Sequence, residues 1–411
     1  MVDYPNDIGT GPQRRMCMTT LLVIIYVAFI SLGLPDSILG SVWPVIQLDL
    51  SAPLSLVGYV SMTVSTGTVI SSLISNRLVA RFGTAKVTVV SVALTAVALL
   101  GYSFVGHAAF LFVLAIPLGL GAGSIDAALN NFVALHYKSM HMNWLHCFWG
   151  VGATAGPLIM SLFLFNPGGW RRGYLVIATL QIALVVVLVV TMKLWNRAEP
   201  HPSQKQESDL VTNREALGIK SVKLALVSFA FFSVTEATTG LWSSSYLVGV
   251  EGMSAAAAAR WTASFYGGIT LGRLFSGFLS IRMTNTILIR LGQMICLVGT
   301  ALLIVPLPTM VSALGFIVIG LGTAPIFPAM LHETPGRFGP HASGAIMGLQ
   351  MAVAYGGGTL GSPLFGLLSS LTSLKLLPYF VMVAVLIMLI SSELLNRRIG
   401  AKGMKTSYQV K

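Results

Sequence analysis

RAEPHPSQKQESDLVTNREA, residues 197–216, is the stretch that decides the fold. It is the heart of the one long polar segment in this chain, residues 195–220. Six long apolar runs precede it and six follow it. At about 20 residues per membrane-crossing helix, those runs read as twelve spans. Their expected bounds are 18–45, 54–78, 84–106, 108–134, 143–166, 172–194, 221–248, 257–280, 285–305, 309–333, 342–369 and 375–396. The sequence therefore predicts an all-α polytopic membrane protein with twelve transmembrane helices in two six-helix halves. The halves are residues 1–194 and 221–411, joined by a cytoplasmic linker at 195–220.

Composition demands lipid as the solvent. Of 411 residues, 55% are hydrophobic and 9% are charged, against roughly 25% charged in soluble domains. The net charge of +12 raises the question of nucleic acid, but its placement answers it. Arg14, Arg15, Arg77, Arg81, Lys86 and Lys138 fall on one side of the expected topology, as do the basic residues of the linker and the tail. Arg171, Arg172, Arg260 and Lys375 fall on the other. That asymmetry predicts both termini in the cytoplasm, in an inner or plasma membrane. It sets the basic face against anionic headgroups, so lipid rather than nucleic acid is the expected partner. Residues 1–17 are polar and span 1 is too long for a signal peptide, so no cleavage is expected. Cys17, Cys147 and Cys296 are scattered and read as small buried hydrophobes. Walker motifs, metal-ligand spacing and nucleophile constellations are not found in the sequence. An ATP-driven pump, an enzyme, a bound metal and a cofactor are accordingly not expected, and a monomer is.

The halves resemble each other. Ser75–Arg81 matches Ser276–Arg282, Gly119-Leu120-Gly121 matches Gly320-Leu321-Gly322, and Gly152 and Pro157 match Gly358 and Pro363. The offsets run from 201 to 206 residues. Parallel six-helix repeats place a solute site near midplane, between the halves. The glycines read first as packing or hinge positions.

Three acids interrupt the apolar runs. Asp36 follows Pro35 in span 1, Asp126 sits in span 4, and Glu236 occupies span 7. A carboxylate at membrane depth costs several kcal/mol and is kept for a proton, an ion or a substrate. All three are candidates for proton coupling. Asp126 and Asn130 are four apart and share a helix face, with Asn131 about 100° around. On span 5, Asn143 and His146 are three apart. These five residues, with Trp149, would line one cavity wall. Amides and carboxylates match solute hydroxyls as donors and acceptors. Interhelical hydrogen bonding is the alternative for the asparagines. Trp242, and with it Tyr246 and Tyr266, could stack on the C–H face of a sugar. Arg273 is expected to pair with a carboxylate or with helix carbonyls. His332, Glu333 and Arg337 read as a gate salt bridge or a solvated helix end.

The segment Asn76–Lys86 resembles the loop between spans 2 and 3 of the major facilitator superfamily, with Arg81, Gly83 and Lys86 in register. Ala80 stands in place of the usual acid, and Thr84 and Ala85 in place of paired arginines. Span 4 resembles the fucose-permease branch of that superfamily, the sugar–proton symporters, at Gly121, Gly123, Asp126, Ala128, Asn130 and Phe132. Span 5 is similar to the same branch at Asn143, Phe148, Gly152 and Ala153. His146 and Trp149 replace that branch's glutamine and second asparagine. The resemblance implies that Asp36 and Asp126 serve proton coupling and sugar binding. It does not account for Glu236. The expected function is proton-coupled symport of a sugar or similar small polyhydroxylated solute by alternating access. The alternative is a proton-coupled drug or metabolite efflux antiporter, whose pocket would be broader and more apolar.

Overall fold

The computed structural model describes residues 12–137, 139–166, 168–198, 213–306 and 308–407. Every regular element in them is helical. The first half comprises α1 (Pro12–Asp49), α2 (Leu56–Phe82), α3 (Thr84–Tyr102), α4 (Ala109–His136), α5 (Ser139–Ser161) and α6 (Gly169–Val190). Two short helices follow, α7 (Met192–Ala198) and α8 (Asn213–Gly218). The second half comprises α9 (Val222–Gly249), α10 (Ala255–Leu279), α11 (Asn285–Ile304), α12 (Thr309–Thr323), α13 (Ile326–Phe338), α14 (Pro340–Leu371) and α15 (Leu377–Ser407).

Twelve spans emerge, with α12 and α13 sharing the tenth. That span breaks at Ala324-Pro325 because proline lacks an N–H and its ring clashes with the preceding turn. Pro35 and Pro44, by contrast, lie inside an unbroken α1. Among the described residues, nine helical stretches are apolar enough over their length to cross a membrane. The three crossing helices outside that set are α5, α10 and α14. Polarity, not shortness, sets them apart, since they run for 23, 25 and 32 residues.

The two ends of the polar segment are more ordered than a free linker. Trp195 on α7 is buried against Phe132, with ring centroids 5.2 Å apart. Ala216 on α8 packs with Val222, Leu226, Ala342 and Ile346. Residues 199–212, the middle of the linker, lie outside the described residues.

The internal repeat appears as matched helix contacts. A Cβ on Gly119 would meet the backbone of Val64, and one on Gly320 would meet that of Phe265. Gly67 lies against Gly119 and Leu120, while Gly268 lies against Gly320 and Leu321. Each pair recurs 201 residues later. The same close crossing, α2 on α4, is rebuilt as α10 on α12. Small residues permit it by letting backbones approach.

The halves touch firmly at one end of the molecule. Gly40 on α1 meets the Leu241 backbone on α9, and Gly58 on α2 meets Pro363 on α14. Ser244 Oγ donates to the Ser41 carbonyl at 2.7 Å. Toward the other end, where α15 finishes, the space between the halves is lined by Asn285, His332, Arg337, Asn396 and Ile399.

Candidate functional site

Between the halves lies a cavity of about 1860 Å³. Its inner part is lined by Asp36, Asp126, His146, Trp149, Glu236 and Arg273. Tyr266 and Tyr355 add hydroxyls, from α10 and α14. Its mouth runs past Asn285, His332, Glu333, Arg337 and Asn396. The more polar crossing helices α5, α10 and α14 wall this space together with α1, α2 and α9.

Asp36 is exposed, and its exposed surface faces the cavity. Its Oδ2 accepts a hydrogen bond from the Trp149 indole Nε1 at 2.8 Å. The contact depends on the close crossing of α1 and α5, where Gly33 lies against the Trp149 backbone and Gly152 against that of Ile30. The Trp149 ring in turn carries the Arg273 guanidinium, 5.2 Å from its centroid. Arg273 Nη2 lies 4.0 Å from Glu236 Oε2. A single line of side chains thus joins an acid of the first half to an acid of the second: Asp36, Trp149, Arg273, Glu236.

Asp126 also faces the cavity. Its Oδ1 accepts from Asn130 Nδ2 at 2.9 Å, and the same amide donates to the Asp126 carbonyl at 2.9 Å. Asn130 is not among the lining residues. Its amide is turned to Asp126 rather than to the cavity. Asn131 is exposed and likewise outside the lining, because the next residue on a helix points about 100° away. Asn143 lies on α5, but its side chain lies outside the described residues. His146 lines the cavity and sets its ring edge-on to Phe29, 6.0 Å between centroids.

The tryptophan and tyrosines divide. Trp242 is fully buried, donates from Nε1 to the Ser362 carbonyl at 3.0 Å, and meets Phe365 edge-to-face. It does not line the cavity, which corrects its assignment to the solute site. The sequence sets it on the same helix as Glu236, but at about 100° of rotation per residue the two side chains do not share a face. Tyr246 is also buried, donating to the Leu303 carbonyl at 3.3 Å. Tyr266 does face the cavity. Tyr355 was not foreseen, although it directly precedes the run Gly356-Gly357-Gly358. Cys296 is buried as expected, but Cys147 is half-buried in the cavity wall.

At the mouth, Arg337 bridges Glu333 and donates to Asn396 Oδ1 at 2.7 Å. Thr286 donates to Glu333 Oε1 at 2.6 Å, and Asn285 contacts His332 at 2.9 Å. These contacts tie α11, α13 and α15 together inside one half, so this is a brace of the rim rather than a bridge across it.

Comparison with known proteins agrees with this architecture. A family model described as Major Facilitator Superfamily matches residues 25–362. The chain is 23% identical to Bypass of stop codon protein 6 of Saccharomyces cerevisiae over 68% of its own length and 60% of that protein's. It is 22% identical to the Cis,cis-muconate transport protein of Acinetobacter baylyi, over 54% of this chain and 55% of the relative. It is 26% identical to the Glucose/mannose transporter GlcP of Bacillus subtilis, over 54% and 56%. The chain thus spans less than two thirds of the length of each of these relatives. Its fold is similar to a crystal structure of nucleoside transporter NupG, with a TM-score of 0.74 at 12% identity, covering 92% of this chain and 99% of that one.

Proposed function

The chain belongs to the Major Facilitator Superfamily, and from that premise we propose that it is a proton-coupled symporter of a small, hydroxyl-bearing solute, sugar-like in size. One observation carries the reading: three membrane-depth carboxylates, Asp36, Asp126 and Glu236, face a single cavity that is shut at one end and open at the other. A proton on such a group removes a charge from membrane depth, and the energy of that change is available to bias the halves. Trp149 supplies the mechanical link. It donates to Asp36 and underlies Arg273, so a change of charge on the first half is felt by the second. Solute bound between the halves would favour closing the open mouth and parting the Gly40–Leu241 and Ser41–Ser244 contacts.

The Lys and Arg asymmetry supports both termini in the cytoplasm, beneath an inner or plasma membrane. The cavity would then open to the cytoplasm in this state. The boundaries 1–194, 195–220 and 221–411 remain the proposed division into moving halves and linker, and the proposed working unit is a monomer. The branch reading of fucose-permease type rests on spans 4 and 5 and on Asp36.

A second reading draws on size. A cavity of about 1860 Å³ exceeds the ~300–1,000 Å³ of ordinary small-molecule pockets. That volume favours efflux of a bulkier compound by the same carboxylates. Proton flux in proteoliposomes separates the two. Interior acidification on outside addition of a sugar is expected for symport. Alkalinisation of preacidified vesicles on adding a hydrophobic cation would replace it with the antiport reading. A dye signal indifferent to every solute would remove both.

A further inference from the structure

Arg273 has more donors than the protein uses. Among the described residues, its recorded partners are the Glu236 carboxylate at 4.0 Å and the Trp149 ring. The first lies beyond hydrogen-bond reach and the second accepts only through its π face. The other arginines in ion pairs are better served. Arg171 bonds Asp49 and donates twice to the Val105 carbonyl. Arg290 holds Glu393 through two nitrogens. Arg337 holds Glu333 and Asn396. Glu236 shares the deficit, since its Oε2 is buried without a hydrogen-bond partner. Two facing charges, both largely withdrawn from solvent and neither well paired, are costly. A guanidinium cannot relieve that cost by losing its proton, whereas a carboxylate can by gaining one.

We propose that the transported solute carries a carboxylate, and that Arg273 receives it. The inference rests on the transport reading above and narrows its substrate class to hydroxylated organic acids. A carboxylate matches the guanidinium fork with two parallel hydrogen bonds. The Trp149 ring, held by Asp36, supports one face of the fork and leaves its N–H rim for the ligand. When the acid arrives, a proton from water goes to Glu236 and the solute carboxylate takes over as the counter-ion. The local charge is the same before and after: one guanidinium and one carboxylate. Solute and proton then enter together without leaving a bare charge in the cavity. The other titratable groups on this wall are Asp36 and Asp126 from α1 and α4, His146 and Cys147 from α5, Tyr266 from α10 and Tyr355 from α14.

The test uses purified full-length protein and three pairs of probes: gluconate with glucose, lactate with propane-1,2-diol, and 4-hydroxybenzoate with 4-hydroxybenzamide. Apparent affinity is read from ligand-dependent shifts in thermal midpoint. At least one acid should shift the midpoint while its neutral twin does not. Arg273→Lys should weaken that acid about tenfold, and Arg273→Gln about a hundredfold. Glu236→Gln, which removes the competing counter-ion, should tighten it. This opposite direction keeps the test decisive should the arginine variants be unstable. Equal binding by a neutral twin, an unchanged affinity in Arg273→Gln, or no response to any acid overturns the proposal. Proton flux driven by a neutral sugar, unaltered in Arg273→Gln, would sink this inference and leave the transport reading standing. Absence of flux with all six probes would remove the symport reading itself.

Discussion

Two pairs of residues separate solute handling from folding. Trp149 and Trp242 are both tryptophans on crossing helices, yet one faces the cavity and the other is fully buried. Trp242→Phe removes the indole donor to the Ser362 carbonyl in the core, a loss of about 0.5–1.5 kcal/mol for one hydrogen bond. It should lower the thermal midpoint and spare solute affinity. Trp149→Phe removes the donor to Asp36 at a surface already open to water. It should leave the midpoint nearly unchanged and weaken coupling of solute uptake to the proton gradient. The reverse pattern would mean that the two roles are misassigned. Asp126 and Asn130 form the second pair. Asp126→Asn keeps an oxygen for the Asn130 amide but cannot give up a proton. The fold should persist, solute exchange should continue, and uphill accumulation should be lost. Asn130→Ala only frees the carboxylate, at about 0.5–1.5 kcal/mol for one hydrogen bond, so accumulation should fall but not vanish. Full accumulation in Asp126→Asn would end its coupling role.

Helix crossings set the site's geometry. Gly33 lies against the Trp149 backbone with no room for a Cβ. Gly33→Ala must push α1 from α5, and overpacking of this kind costs about 1–3 kcal/mol. The thermal midpoint should drop, and the Asp36–Trp149 hydrogen bond should go with it. Gly348 on α14 is the control, because a Cβ there meets nothing within 4 Å. Gly348→Ala should raise stability by about 0.5–1 kcal/mol, the usual gain from replacing a mid-helix glycine. A single-residue turn shows the other use of glycine. Gly83 joins α2 to α3 at φ 82°, and Gly339 joins α13 to α14 at φ 86°. Each is a left-handed position that any side chain would strain.

Access to the cavity belongs to the molecule as a whole. Cys147 lies in the cavity wall, and Cys296 is buried within the second half. With Cys17 replaced by serine, a membrane-impermeant maleimide should modify Cys147 and spare Cys296. In oriented vesicles it should do so from the face where α15 ends. Labelling from the opposite face in this state, or equal labelling of Cys296, would contradict the closure formed by Gly40, Leu241, Ser41 and Ser244.

The sequence by itself determined the class of protein, the number of spans and their pairing into halves. Those follow from the solvent: apolar runs of spanning length have nowhere stable to sit but lipid. It also singled out Asp36, Asp126 and Glu236, because charge inside an apolar run is costly wherever the helix points. It could not say which neighbours share their wall. Asn130 and Asn131 differ by one residue and by about 100° of rotation, and only packing decided that one holds Asp126 while the other faces away. Trp149 and Trp242 could not be told apart by composition, since burial depends on what the opposite helix brings. Arg273 looked like a paired structural cation. Its looseness from Glu236 is a distance between α9 and α10, and a distance between helices exists only once the chain has folded.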